Sequence, residues 1–189
     1  MKVQLVAFSP NGKFISFLDY KSVVVWNFIE RKEEFRLHGH YMVIRSFVFT
    51  ADGKYLISGS DDKLIIFWNV REQKKEFKIL AEDGINSMAT SNNGKLISTI
   101  SSGGSLSLWC AIKKQVDYVF YHTNITSVVF SPDSNHLSGS CDKNVKVWSI
   151  PKKELIFTLS TENSQINSVI FSLDQKKLFA GSSNSKIFL

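Results

Sequence analysis

The chain has 189 residues, 43% of them hydrophobic, and a formal net charge of +6. The apolar share excludes a disordered chain, and the lack of an apolar run of about eighteen residues excludes a bilayer-spanning helix. The charge is mild for this length, so it permits an anionic partner without requiring one.

The first predicted strand is the alternating apolar run VQLVAF at 3–8, which the turn sequence SPNGK follows. Asn-Gly between apolar runs is typical of a hairpin turn, because glycine tolerates a positive φ. A second strand follows this turn, a third ends at Trp26, and a fourth is EEFRLH at 33–38. The first 38 residues therefore predict four short antiparallel strands.

The same unit then recurs along the chain. Its third strand ends at Trp26, Trp68, Trp109 and Trp148, with spacings of 42, 41 and 39 residues. The turn sequences FSPNGK, FTADGK, TSNNGK, FSPDSN and FSLDQK keep the same period. A fixed period near forty residues indicates a repeat architecture. The predicted repeats are 1–38, 39–80, 81–122, 123–160 and 161–189, the last ending within its third strand.

A four-stranded repeat of this length whose third strand ends in Trp resembles the WD-repeat (Trp-Asp repeat) family. The resemblance implies an all-β fold, a β-propeller of four-stranded antiparallel blades. With about four and a half repeats, we expect an incomplete propeller that needs further blades or another chain to close its ring. It is either an open arc that pairs with another chain or a fragment of a larger ring, and we favour the fragment. The sequence diverges from the family pattern, because Gly-His occurs once, at 39–40, and no Trp is followed by Asp.

The resemblance also implies a buried hydrogen-bond chain within a blade, formed by a His, a Ser, an Asp and the Trp. A buried indole N–H can only donate, so it needs an acceptor such as a hydroxyl. The residues that match these positions form two sets: His40, Ser58, Asp62 and Trp68; and His122, Ser138, Asp142 and Trp148. The third repeat has Thr99 and Gly103 at the Ser and Asp positions, so we expect it to be the weaker one.

Ser, His and Asp are also the residue types of a hydrolase triad. A nucleophilic serine needs exposure and a sharp turn, and the chain has no Gly-x-Ser-x-Gly sequence. The set occurs twice, each time beside a Trp, which favours a structural device and predicts no catalytic residues. His38 and His40 have no further ligand at metal-site spacing, so the sequence predicts neither a metal nor a cofactor.

The resemblance implies a non-enzymatic scaffold that binds other proteins or peptides on its loops. The candidate contact residues are Tyr41, Met42, Arg45 and Asp61. The alternative is an anionic partner, a nucleic acid or a phosphoinositide, on a face of basic turns. The residues proposed for this basic face are Lys74, Lys75, Lys113, Lys114, Lys152 and Lys153.

The expected compartment follows from two negative observations. The two cysteines lie far apart, and the N-terminus has no long apolar segment typical of a signal peptide. Both observations indicate an intracellular protein, most simply a cytoplasmic one, with the nucleus left open.

Overall fold

The computed structural model describes residues 5–121, 125–161 and 165–183, and the backbone of 187–188. Within these ranges the chain forms strands and turns and no helix, and therefore no helix of the length and hydropathy needed to cross a bilayer. The chain divides into two compact units, Met1–Asn86 and Ser87–Leu189. The fold is all-β, as the repeat pattern predicts.

The first unit contains two four-stranded antiparallel sheets, each with its strands in chain order. The strands of the first sheet are β1 (Val6–Phe8), β2 (Phe14–Asp19), β3 (Ser22–Asn27) and β4 (Lys32–His38). Those of the second are β5 (Ile44–Phe49), β6 (Tyr55–Ser60), β7 (Leu64–Asn69) and β8 (Lys74–Leu80). Each strand therefore pairs with its neighbour in sequence through a hairpin.

The remaining three sheets follow the same order. The third contains β9 (Ile85–Thr90), whose first two residues belong to the first unit, β10 (Leu96–Ser101), β11 (Leu106–Cys110) and β12 (Gln115–Phe120). The fourth contains β13 (Ser127–Phe130), β14 (His136–Cys141), β15 (Asn144–Ser149) and β16 (Glu154–Ser160). The fifth has three described strands, β17 (Ile166–Phe171), β18 (Leu178–Ser182) and β19 (Ile187–Phe188).

One local device forms the first hairpin turn of every sheet. In the first sheet Ser9 Oγ donates to Asn11 Oδ1 over 2.7 Å, and the Lys13 backbone N–H donates to the same oxygen over 3.0 Å. Gly12 between them has a φ of 68°, a conformation that glycine adopts without steric cost. The equivalent pairs in the other sheets are Thr50–Asp52, Ser91–Asn93, Ser131–Asp133 and Ser172–Asp174.

In each unit a tryptophan lies in an apolar cluster with the sheet that precedes it. Trp68 of the second sheet clusters with Val23, Val25 and Leu37 of the first, and only 2% of its surface is exposed. In the second unit Trp148 clusters with Leu106, Leu108 and Phe120 of the third sheet, and 3% of its surface is exposed. Burial of the indole surface supplies much of the free energy that holds neighbouring sheets together.

Candidate functional site

The predicted site begins in the loop that leads into β5. Gly39 passes so close to the indole that a Cβ there would lie 3.0 Å from Trp68 Cη2. This close approach requires glycine, and it places the next residue, His40, over the same ring system. The centroids of the His40 and Trp68 rings lie 6.3 Å apart with their planes at 63°. The Gly-His pair therefore positions the imidazole against side chains of the second and third strands of its sheet.

The structure brings His40, Ser58, Asp62 and Trp68 together in one hydrogen-bond chain. Trp68 Nε1 donates to Ser58 Oγ over 2.8 Å, and Ser58 Oγ lies 2.8 Å from His40 Nε2. His40 Nδ1 lies 2.9 Å from Asp62 Oδ2 and 3.1 Å from Asp62 Oδ1. Because the indole only donates, the serine hydroxyl proton goes to Nε2, and Nδ1 carries the proton that His40 donates to Asp62.

The pKa values of the two ionisable groups fit this assignment. Burial lowers the pKa of His40 and outweighs the opposing effect of Asp62, so the imidazole is neutral at neutral pH. Burial alone would raise the pKa of Asp62, but hydrogen bonds from the Tyr41 and Leu64 backbone N–H groups and from His40 outweigh it, so this pKa is lowered. The site thus contains a neutral imidazole and an ionised carboxylate.

The second predicted set is not equivalent to the first. His122 lies outside the described residues. In the second sheet Trp68 pairs with Leu56, and Ser58 lies two residues further along β6. In the fourth sheet Trp148 pairs with Leu137, so the residue at the position of Ser58 is two residues beyond Leu137. That residue is a glycine.

Gly139 occupies this position, and Ser138 projects from the opposite face of the sheet, because side chains alternate along a strand. Ser138 pairs with Val147, and its Oγ is buried with no hydrogen-bond partner in the described part of the chain. The hydrogen bond from Trp148 to Ser138 that the resemblance implies is therefore not formed. Asp142 lies in the following turn with a φ of 49°.

The length of one hairpin turn explains the difference. Three residues separate β6 from β7, whereas two separate β14 from β15. Ser58 and Trp68 are ten residues apart in sequence, as are Ser138 and Trp148, so spacing alone cannot reveal the change of register. The turn sequences FTADGK and FSPDSN, which begin at Phe49 and Phe130, contain the signal that sequence reasoning missed. The same count forward that leads from Phe49 to Ser58 leads from Phe130 to Gly139.

The third sheet retains part of the chain. Trp109 Nε1 donates to Thr99 Oγ1 over 2.8 Å, and Thr99 has the same register relative to its Trp as Ser58 has. The hydroxyls that are buried without a partner in the described ranges all lie one position earlier, on the other face: Ser16, Ser98 and Ser138. That the third repeat is the weaker one stays a prediction.

The candidate contact residues lie together at one edge of the second sheet. Tyr41 is 72% exposed and Met42 is 50% exposed. The Tyr41 backbone N–H donates to Asp62 Oδ2 over 2.8 Å, so the exposed ring stands on a backbone held by the buried carboxylate. Arg45 pairs with Asp61, with Nη2 and Oδ2 2.7 Å apart. We call Tyr41, Met42, Arg45 and Asp61 the blade-edge surface.

Residues 31–69, 114–149 and 153–189 match the protein family described as "WD domain, G-beta repeat". The chain belongs to the WD-repeat family. Its five sheets are therefore blades 1 to 5 in chain order. The Asp of the Trp-Asp pair is replaced in blade 2 by Asn69, whose Oδ1 accepts from the backbone N–H groups of Arg71 and Glu72 over 3.1 Å each. The asparagine therefore stabilises the turn between β7 and β8.

Several WD-repeat relatives match this chain. It is 27% identical over 190 residues to apoptotic protease-activating factor 1 of Rattus norvegicus and of Homo sapiens, with 98% of this chain and 15% of each relative covered. It is 30% identical over 93 residues to the Lissencephaly-1 homolog of Caenorhabditis briggsae, with 47% of this chain and 24% of the relative covered. The chain thus spans less than a quarter of each of these relatives.

Of the residues proposed for the basic face, Lys113, Lys114, Lys152 and Lys153 lie in turns between the third and fourth strands of blades 3 and 4. Lys74 and Lys75 are the first two residues of β8, directly after the corresponding turn of blade 2. Three of them are paired with acids: Lys74 with Glu72, Lys152 with Glu154, and Lys153 with Asp117. These acids offset the local positive charge. No group of three or more His, Cys, Asp or Glu side chains that could hold a metal occurs in the ranges that the structure describes.

Proposed function

We propose that this WD-repeat chain is a non-catalytic scaffold that binds other proteins or peptides through the blade-edge surface. The observation that carries the proposal is the combination at Tyr41 of a ring that is 72% exposed and a backbone held by buried Asp62. Aromatic and arginine side chains are the residue types that contribute most to binding at protein interfaces. An exposed ring on an already ordered backbone loses less conformational entropy on binding.

The same network supports the non-catalytic part of the proposal. Ser58 is fully buried, and its Oγ lies between Trp68 Nε1 and His40 Nε2, both at 2.8 Å. A nucleophile must reach its substrate, and this hydroxyl is covered by the side chains that it bonds. We therefore expect a serine-directed phosphonate probe to leave the folded chain unlabelled, and labelling at Ser58 would contradict a purely structural role.

A peptide-display selection against the wild-type chain tests the binding proposal. We expect selected peptides to lose at least about tenfold in affinity for Y41A, because truncation of an interface hot spot costs about 2 kcal/mol or more. The control is I29A, which truncates a side chain that is also 72% exposed but lies in the turn between β3 and β4 of blade 1. Peptides that bind Y41A, R45A and the wild type equally would overturn the assignment of this surface.

A further inference from the structure

A cavity of about 370 Å³ lies where blades 1 and 2 meet within the first unit. Its lining includes three basic side chains, Lys13, Lys54 and Arg71, and one acid, Glu34. Lys54 and Arg71 also line an adjoining open groove of about 900 Å³ along the last turn of blade 2. We call Lys13, Lys54 and Arg71 the seam cations. Three cations against one carboxylate leave the cavity with a local charge of +2.

The seam cations differ from most basic residues nearby because none of them forms an ion pair in the described part of the chain. Lys13 Nζ lies 5.2 Å from the centre of the Phe14 ring, and Lys54 Nζ lies 5.0 Å from that of Tyr55. These contacts position the ammonium groups. Acids outside the cavity lining offset part of their charge, Glu30 at Lys13 and Glu76 and Asp52 at Lys54. Glu34, the one acid of the cavity, already accepts a hydrogen bond from Asn27 Nδ2 over 3.0 Å.

The equivalent place between blades 3 and 4 lacks this charge. Lys13 and Lys54 each lie two residues after the turn Asx of their blade, and Arg71 lies three residues after its Trp. The residues at the same positions in blades 3 and 4 are Lys95, Asn135 and Pro151. One cation thus stands where the first unit has three, so the charge at the first seam does not follow from the repeat itself.

Hydrogen bonds also join the two turns at the second seam. The Asn93 backbone N–H donates to Ser134 Oγ over 3.2 Å, and Asn92 Nδ2 donates to the Pro132 carbonyl over 3.2 Å. At the first seam the corresponding turns come close at Gly53 and Pro10, where a Cβ added to Gly53 would lie 3.7 Å from Pro10 Cδ. The turns of the first seam thus meet without a hydrogen bond of this kind in the described residues, and the cavity between them is lined by the seam cations.

We propose that the seam cations bind a phosphomonoester dianion, presented by a phosphorylated side chain of a partner or by a small phosphorylated molecule. A guanidinium and two ammonium groups provide the charge-assisted donors that phosphate oxygens accept. The cavity volume lies within the range of small-ligand sites. A nucleic-acid backbone would need a continuous basic track, whereas the lysines beyond the seam are interrupted by acids such as Glu72.

The probes are a fluorescent decapeptide with one phosphoserine, its unphosphorylated twin, free O-phosphoserine and inorganic phosphate. In anisotropy titrations at low salt, we expect the phosphopeptide to bind and its unphosphorylated twin not to bind. Inorganic phosphate should compete with the phosphopeptide. The triple variant K13A/K54A/R71A should lose at least about tenfold in affinity, because each removed cation contributes to binding. Equal affinity for the wild type and the triple variant would overturn the proposal, as would equal affinity for both peptides.

The control variant K95A/K113A/K143A changes the net charge by the same amount in the second unit and should bind the phosphopeptide like the wild type. An equal loss in this control would attribute binding to overall charge and overturn the proposal. R71E, a single charge reversal at an exposed turn, repeats the test in a variant with minimal risk to folding. Competition by free O-phosphoserine as strong as that of the phosphopeptide identifies a small-molecule ligand; weaker competition identifies a protein partner.

This inference is independent of the blade-edge surface in its residues, and it rests on the scaffold function only where the phosphate is carried by a protein. Y41A should leave phosphopeptide binding unchanged, and K13A/K54A/R71A should leave the display-selected peptides bound. Loss of one activity without the other therefore shows which of the two proposals fails. A single-stranded oligonucleotide that binds more tightly than the phosphopeptide, and equally to the triple variant, would contradict the phosphomonoester assignment.

Discussion

Blades 2 and 4 bury their tryptophans equally but hold them differently. Trp68 and Trp148 are 2% and 3% exposed, and each lies against the apolar face of the preceding blade. Trp68 donates to Ser58 within a chain of four side chains, whereas the structure gives Trp148 no serine at the matching position. Indole burial in this fold therefore does not require the hydrogen-bond chain, and one residue in a hairpin turn decides whether the chain can form.

The largest expected difference between the blades is at their turn aspartates. We expect D62N to lower the free energy of unfolding by about 2–4 kcal/mol, because Asp62 accepts from His40 and from two backbone N–H groups in a buried site. D142N, at an exposed turn position, should change stability by less than about 0.5 kcal/mol. Urea unfolding of the two variants measures both values, and equal losses would show that the networks of the two blades are equivalent.

The tryptophans themselves give a smaller difference. W68F and W148F remove the same atoms from equally buried sites, so their packing losses should be similar. W68F also removes the donor to Ser58 Oγ, and we expect it to cost about 1 kcal/mol more than W148F. The comparison of the two urea midpoints isolates this hydrogen bond. An equal loss in both variants would show that the bond adds nothing beyond indole burial.

The sequence predicts most of the fold because its signals are local. Apolar alternation, Asx-Gly turns and the recurring Trp are each read within one repeat, and together they predict antiparallel four-stranded sheets. The positions of His40, Ser58, Asp62 and Trp68 follow from the family resemblance. Their distances do not, since they depend on the register of β6 and β7.

The remainder depends on register and on packing between blades, which one-dimensional spacing does not determine. The ten-residue interval from Ser138 to Trp148 matches that of blade 2, yet the shorter turn places Ser138 on the other face. A one-residue shift changes the face of every side chain in a strand. The seam cations come from three separate turns, and only the folded unit brings Lys13, Lys54 and Arg71 to one cavity.

The pH dependence of stability should reflect the network of blade 2. Burial lowers the pKa of His40 below its usual 6.5, so the unfolded chain binds a proton at a higher pH than the folded chain does. The stabilisation that depends on neutral His40 is therefore fully present above pH 6.5. It declines as the pH falls from 6.5 towards the lower pKa of the folded state, by up to about 1.4 kcal/mol per pH unit. Urea midpoints measured at pH 7.5 and pH 5.5 should differ in this direction.

The variant H40Q serves as the control for this pH dependence, because glutamine does not titrate. Its stability should be lower at pH 7.5, and its change between pH 7.5 and pH 5.5 should be smaller than that of the wild type. His136 of blade 4 lies outside the network of blade 2. It is partly exposed, and its Nδ1 lies 3.9 Å from Asp133 Oδ1. A pH dependence that survives in H40Q and disappears in H136Q would place the titrating group in blade 4.

The two serines should differ in the sign of their effect, and the smallest change in stability is expected at Ser138. S58A removes the hydroxyl that joins Trp68 to His40. We expect it to lower the free energy of unfolding by about 1–3 kcal/mol, because two buried partners lose their hydrogen bonds.

S138A removes a hydroxyl that is buried without a partner in the described residues, so the folded state loses a desolvated polar group. We expect S138A to be neutral or to stabilise the chain by about 0.5 kcal/mol, as measured by urea unfolding. S98A, which alters the same register position in blade 3, should behave like S138A. A loss in S138A as large as that in S58A would mean that blade 4 holds its serine as blade 2 does.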